Sequence, residues 1–76
     1  MAQKLPRLKA NEVIKILQRN DFILVSQRGS HQKWRSTLTS KQVIVPYHKG
    51  KQLPLGTIKS IIEGSGISQR EFLRTL

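Results

Sequence analysis

The fold is decided by residues 22–38, FILVSQRGSHQKWRSTL, in which two stretches that favour extended structure flank a glycine. The first stretch, Phe22 to Gln27, is rich in β-branched and aromatic residues, which are favoured in strands. The connection Arg28-Gly29-Ser30 lets the chain reverse, because Gly29 can adopt a positive φ. The second stretch, His31 to Leu38, then returns antiparallel, and the segment predicts a β-hairpin.

Helical and extended patterns flank this hairpin on both sides. Before it, residues 10–19 place Val13, Ile14 and Leu17 at helical spacing, with charged and polar residues between them. After it, a turn at residues 39–40 leads to a third predicted strand, Lys41 to Pro46, which ends at the proline because proline lacks the N–H that a ladder needs. A loop with two glycines and a proline is expected over residues 47–56.

Two further helical segments are predicted near the end of the chain. Isoleucines recur at helical spacing in residues 57–63, and either Gly64 or Gly66 can take the left-handed position that ends a helix. Ser68 and Glu71 match a capping box, in which hydroxyl and carboxylate each satisfy a backbone donor of the other residue. A short last helix is therefore expected after Ser68.

The order of elements predicts an α+β fold with a three-stranded antiparallel sheet, helices on one face and the other face open. The sequence has 76 residues, enough for one modest core, so residues 1–76 are expected to form a single domain. With no cysteine in the chain, packing alone must hold that core.

The chain is strongly basic, since fourteen Lys and Arg against four acidic residues give a formal net charge of +10. Such a charge displaces counterions from polyphosphates, so nucleic acid is the first partner to consider. Charge alone leaves an anionic membrane surface and an acidic protein open as alternatives. No apolar run is long enough for a membrane span or a secretion signal, which favours a location in the cytoplasm.

The second predicted strand carries the chemistry-bearing side chains on one face. Because residues two apart on a strand point to the same side, His31, Lys33, Arg35 and Thr37 share a face and Trp34 lies on the other. An imidazole can serve as acid or base near neutral pH, and cations beside it can stabilise a phosphate. Trp34 either packs in the core or stacks on a base, and a domain this small favours packing.

Neither histidine is assigned a role by its position alone. Position alone favours a solvated loop-edge histidine over a catalytic one at His31, and a polar loop residue over a second acid or phosphate contact at His48. The sequence holds no phosphate-binding glycine motif and no cluster of carboxylates, histidines or cysteines at metal-ligand spacing. We therefore expect neither a metal nor another cofactor.

Short motifs spread over nearly the whole chain form a pattern together. They are Lys4-Leu5-Pro6, Glu12-Val13-Ile14, Gly29-Ser30-His31 with Trp34, Val45-Pro46 with His48, Gly56-Thr57, and Gly66-Ile67-Ser68 with Glu71-Phe72. In order and spacing this pattern resembles HicA, the toxin of HicA–HicB toxin–antitoxin pairs.

The resemblance implies a double-stranded-RNA-binding-domain-like fold, cleavage of mRNA that arrests growth, and a HicB-type antitoxin that covers the active site. It places the family's catalytic histidine at His31. One local departure is Lys9, where relatives often have a serine that caps the first helix, and a missing cap costs on the order of 1 kcal/mol.

Sequence and resemblance together predict the toxin of a type II toxin–antitoxin system, acting as a metal-independent endoribonuclease with His31 as general acid or base. Candidate RNA contacts are Arg28, Gly29, Ser30, Lys33, Arg35, His48, Lys49 and Lys51. Two other classes remain as alternatives: a non-catalytic RNA-binding module that uses the same basic face, and an adaptor for an acidic protein.

Overall fold

The computed structural model, which describes residues 4–76, contains six elements in the order helix, three strands, helix, helix. They are α1 (Ala10–Arg19), β1 (Phe22–Arg28), β2 (His31–Ser36), β3 (Gln42–Pro46), α2 (Leu55–Ser65) and α3 (Gln69–Arg74). The three strands form one antiparallel sheet in the order β1-β2-β3. The predicted α+β class and the double-stranded-RNA-binding-domain-like architecture are confirmed.

The β1–β2 hairpin closes through two residues, Gly29 and Ser30, because Arg28 pairs with His31. Arg28 therefore belongs to β1, and the three-residue connection expected from the sequence is wrong by one residue. Gly29 has φ +58° while Ser30 has no positive φ, as in a type II′ turn, whose twist matches that of the paired strands. A side chain at position 29 would strain this turn.

The sheet has a covered face and an open face. The covered face packs on the helices through Phe22 of β1, Trp34 of β2, and Val43 and Val45 of β3, all of them buried. Helical residues complete this core, among them Val13, Ile16, Leu17, Ile58, Ile61 and Phe72. Trp34 is only 5 % exposed, which confirms that it packs in the core.

The ends of β2 and β3 differ from the sequence prediction. β2 stops at Ser36 and not at Leu38, because the buried Ser36 hydroxyl accepts hydrogen bonds from the backbone N–H groups of Leu38 and Thr39, both at 3.1 Å. These bonds turn the chain out of the ladder. β3 accordingly begins at Gln42, one residue later than expected.

The first helix begins after Lys9, as predicted, and Lys9 provides no side-chain cap. Glu12 offsets part of that loss, since its carboxylate accepts a hydrogen bond of 2.8 Å from the Lys9 backbone N–H. This is the return half of a capping box. A lysine side chain cannot supply the other half, because an ammonium group only donates.

The second helix begins at Leu55, two residues earlier than the sequence predicted. Pro54 precedes it, and its carbonyl accepts the first helical hydrogen bonds from Thr57 and Ile58, at 3.0 and 3.1 Å. Gly64 lies inside the helix and not at its end. A small residue suits this position, since α2 packs so closely on β3 that a Cβ on residue 64 would lie 3.1 Å from Val43 Cγ1. Gly66, with φ +74°, ends the helix.

The last helix is capped only in one direction. Ser68 Oγ accepts a hydrogen bond of 3.1 Å from the Glu71 backbone N–H, as expected. The Glu71 carboxylate, however, pairs with Arg74 at 2.9 Å, and not with the backbone of Ser68. The expected two-way capping box is therefore wrong at α3. None of the helices in residues 4–76 has the length and apolar character needed to cross a bilayer.

Candidate functional site

The open face of the sheet is defined by the strand register. Side chains that pair across an antiparallel ladder lie on the same side, and residues two apart along a strand share that side. The open face therefore consists of three rows across the sheet: Arg28–His31–Pro46, Ser26–Lys33–Ile44 and Ile23–Arg35–Gln42. His31, Lys33 and Arg35 form its central column, and all three are exposed.

A bulge in β1 sets which residues reach this face. The register shifts between Leu24 and Ser26, so Val25 has no partner on β2. If β1 alternated regularly through Val25, with no bulge, Ser26 and Arg28 would point to the covered side. The bulge therefore places both residues beside Lys33 and His31.

A shallow depression lies at the His31 end of the open face. It is lined by Ser26, Gln27, Arg28, His31, Lys33 and Ile44. The lining combines one imidazole, two cations and an isoleucine that is 45 % exposed. This mixture can contact both the charged backbone and the apolar face of a base in a nucleic acid.

The backbone around His31 is held from two directions. His31 is the first residue of β2 and pairs with Arg28 on one side and with Pro46 on the other. The carbonyl of Ser30, directly before it, accepts a short hydrogen bond of 2.7 Å from the Tyr47 backbone N–H. Tyr47 is partly buried against the core, so the turn that presents His31 is tied to the rest of the fold.

A chain of side-chain amides connects this turn to the core. Trp34 Nε1 donates to Gln32 Oε1 at 3.1 Å, and Gln32 Nε2 donates to Gln27 Oε1 at 3.5 Å, the longest link. Gln27 Nε2 then donates to the Gly29 carbonyl at 3.1 Å. An indole nitrogen can only donate, so the direction of the chain is fixed at Trp34.

The charge of the site has one sign. None of the residues in β1, β2 and β3 is acidic, whereas Arg28, Lys33 and Arg35 are cationic. Within residues 4–76, one ion pair brings a side-chain nitrogen within 4.0 Å of a carboxylate oxygen, and it joins Arg74 to Glu71 on α3. The hydrogen bond with Glu71 raises the pKa of Arg74. The cations of the open face have no carboxylate partner and remain available to a polyanion.

The structure brings together three of the residues predicted from the sequence: Arg28, His31 and Lys33 line one depression. Gly29 and Ser30 form the adjoining turn, and Arg35 lies on the same face one row beyond Lys33. His48, Lys49 and Lys51 lie outside the lining, on the exposed loop between β3 and α2. In the described part of the chain no group of three or more His, Cys, Asp or Glu residues is placed to hold a metal ion.

Sequence reasoning missed Ser26, Gln27 and Ile44 as lining residues. Ile44 carried a usable signal, because alternation along β3 and an antiparallel register place it beside Lys33. Ser26 carried no such signal in the sequence, since the bulge at Val25 determines which face of the sheet Ser26 lies on. Gln27 enters the lining although it belongs to the other side of the ladder, because it lies on an edge strand.

The comparison with protein families identifies the chain. Residues 10–67, which include the whole sheet, α1 and α2, match the model of the family described as the HicA toxin of bacterial toxin–antitoxin systems. A search of curated proteins gave no significant match. The family match covers well over half of the 76 residues. The chain therefore belongs to the HicA family of toxins.

Proposed function

We propose that this toxin is a metal-independent endoribonuclease that cleaves mRNA in the cytoplasm, with His31 in acid–base catalysis. The observation that carries the proposal is the exposed imidazole of His31 in a depression that it shares with two cations, Arg28 and Lys33. No acidic side chain on the sheet opposes the approach of a phosphate. Membership of a toxin family supplies the biological reason for a destructive activity.

The reaction needs one group to remove a proton and one to return it. A base takes the proton of the ribose 2′-hydroxyl, and the resulting oxygen attacks the adjacent phosphorus. The bond from phosphorus to the 5′-oxygen of the next nucleotide breaks, and an acid protonates that oxygen. The products are a 2′,3′-cyclic phosphate and a 5′-hydroxyl. His31 fills one of the two proton-transfer roles.

The cations of the open face stabilise the charge that develops on the phosphate and hold the neighbouring nucleotides. Residues two apart on a strand are about 6.6 Å apart, so His31, Lys33 and Arg35 offer contacts along an extended RNA strand. Arg28 lies across from His31 and contacts the reacting phosphate. His48, Lys49 and Lys51 provide outer contacts on the loop, and Gly29 and Ser30 provide the turn.

The antitoxin that this family of toxins requires is, in this proposal, a HicB-type protein that covers the depression at His31. An acidic surface on the antitoxin complements the +10 charge and speeds capture of the free toxin. Co-expression then relieves growth arrest. A bound antitoxin that left the His31 depression open to solvent would contradict this part of the proposal.

Cleavage of a defined RNA by the purified protein tests the proposal directly. We expect cleavage to persist in EDTA, to leave a cyclic phosphate or its 3′-phosphate hydrolysis product, and to stop when the nucleotide at the cut site carries 2′-deoxyribose. Cleavage of the deoxy substrate would exclude attack by the 2′-hydroxyl, and loss of activity in EDTA would exclude a metal-independent reaction.

Growth after induced expression gives the matching test in cells. We expect the wild-type protein to arrest growth and His31→Ala to have no effect at the same protein level. RNA binding without any cleavage by the wild-type protein would instead indicate a non-catalytic RNA-binding module.

A further inference from the structure

The outer edge of β1 is a second surface of this toxin that its own fold leaves open. β1 is the first strand of the sheet, and within residues 4–76 it pairs only with β2. It is seven residues long, the longest of the three strands. An edge strand presents a row of backbone N–H and C=O groups that another extended chain can pair with.

The side chains along this edge are apolar and exposed on both sides of the sheet. Ile23 is 49 % exposed, Leu24 is 45 % exposed and Val25 is 37 % exposed. Ile23 belongs to the open face, whereas Leu24 pairs with the core residue Trp34 and lies on the covered side. A single exposed apolar residue needs no explanation, but a run that spans both sides of an edge is typical of a surface that a partner covers.

The other edge of the sheet, β3, carries several features that hinder pairing, whereas β1 carries fewer, chiefly the bulge at Val25. β3 is short, ends at Pro46 and is packed closely by α2 at Gly64. These are the features that natural proteins use to block pairing at an edge. β1 contains neither proline nor lysine, and its bulge at Val25 only divides the edge into residues 22–24 and 26–28.

We infer that the free edge of β1 is the docking site for an extended, acidic segment of the antitoxin, which adds to the sheet as a fourth strand. This inference deepens the partner named under the proposed function and rests on the toxin's pairing with an antitoxin, not on ribonuclease chemistry. Apolar side chains of the segment contact Ile23 and Leu24. The carboxylates of the segment pair with Arg28 on β1. Lys33 and Arg35 lie one strand further in, on β2, and add to the positive charge of this surface.

The charge distribution selects an acidic protein segment over a second copy of this chain. The strands carry no acidic residue, and each copy has a net charge of +10, so a symmetric pair joined at β1 would bring two strongly basic sheets together. The positive potential of this surface instead attracts an acidic strand and favours its binding. Pairing through the backbone supplies affinity, and the alternating side chains supply specificity.

Docking at β1 explains how the antitoxin reaches His31. An added strand lies about 4.8 Å from β1 and therefore about 10 Å from β2. Ser26, Gln27 and Arg28 of β1 form one wall of the depression at His31. A partner anchored on this edge places the rest of its chain over that wall, so edge pairing and coverage of the catalytic residue become one binding event.

Charged substitutions on the edge test the inference. Leu24→Glu and Val25→Glu place a negative charge against the acidic segment, at side chains that are 45 % and 37 % exposed. We expect each to weaken binding of the purified cognate antitoxin about tenfold or more, measured by calorimetry. Leu38→Glu is the matched control, since it adds the same negative charge at a side chain that is 76 % exposed on the β2–β3 connection, and we expect the affinity of this variant to stay within about threefold.

Hydrogen exchange of the backbone amides supplies a second readout. In the wild-type complex we expect new protection at alternate amides of β1, the pattern of an added strand. Unchanged antitoxin affinity in both edge variants, or protection confined to β2 and β3, would overturn the inference. A free toxin that sediments as a dimer, and becomes a monomer in the edge variants, would also overturn the inference. So would edge variants that lose RNA binding but keep antitoxin binding.

These measurements separate the inference from the proposed function. They use binding and exchange, which need no RNA cleavage. A toxin that never cleaves RNA but loses antitoxin affinity in Leu24→Glu refutes the proposed ribonuclease and supports edge docking. Active cleavage with unaffected antitoxin affinity in the edge variants supports the ribonuclease and refutes edge docking.

Discussion

The two faces of the sheet are made from the same three strands and have opposite properties. The covered face carries Phe22, Trp34 and Val45, which are at most 5 % exposed. The open face carries His31, Lys33 and Arg35, which are exposed and have no acidic neighbour on the sheet. Because adjacent strand residues point in opposite directions, stability and the candidate chemistry occupy neighbouring positions of one short segment. Single substitutions in β2 can therefore separate them.

The largest expected effect is on the open face, at His31. Acid–base catalysis typically contributes 10²–10⁴-fold in rate, so we expect His31→Ala to lose cleavage by roughly that factor. The side chain is exposed and lies outside the core cluster, so the melting temperature stays close to that of the wild type. RNA affinity changes only a few-fold, since phosphate binding is shared among several cations. Undiminished cleavage would remove His31 from the catalytic role.

The matching substitution on the covered face is Trp34→Ala. We expect it to lower the free energy of unfolding by roughly 3–5 kcal/mol, because it empties a large buried site in a small core. Chemical denaturation measures this loss, and Trp34→Phe, which keeps an aromatic ring but removes the donor to Gln32, loses less. A stable Trp34→Ala protein that has lost RNA affinity would place Trp34 on the RNA-binding side and break the distinction between the faces.

A smaller effect is expected at Arg35, at the far end of the central column from His31. We expect Arg35→Ala to weaken RNA binding and to reduce the slope of log K against log salt by about 0.7, the value for one phosphate contact on a single strand. The turnover rate at saturating RNA stays unchanged. Arg70→Ala on α3 is the control, since it removes one positive charge outside the open face. Equal effects of the two variants would show that only total charge matters.

The smallest expected effect is at Lys9, which lies on neither face of the sheet. Lys9→Ser supplies the missing side-chain cap of α1 and completes a capping box with Glu12, whose carboxylate already bonds to the backbone of residue 9. We expect the free energy of unfolding to rise by about 1 kcal/mol with RNA cleavage unchanged. An unchanged or lower stability would show that a hydroxyl at position 9 does not cap α1.

Local pattern was enough to predict most of the elements. α1 is correct at both ends, and the strands are correct in number and pairing, because alternation and turn residues are properties of short segments. One error lies where a contact between distant parts of the chain decides. α2 continues through Gly64, where a Cβ would lie 3.1 Å from Val43 Cγ1 of β3, and this tight approach favours a glycine inside the helix. The error at α3 has a local cause, because the Glu71 carboxylate pairs with Arg74, three residues further along the same helix, and not with the backbone of Ser68.

The charge and the hairpin at Gly29 follow from the amino-acid sequence. So does the side of β2 on which His31, Lys33 and Arg35 lie, because strand alternation has a fixed period of two. Which other residues join these three depends on the tertiary structure. The bulge at Val25 turns Ser26 and Arg28 toward His31, and the position of β1 at the edge leaves Ile23 and Leu24 uncovered. Both depend on how whole strands pair and where the helices lie, and no local pattern of residues encodes those positions.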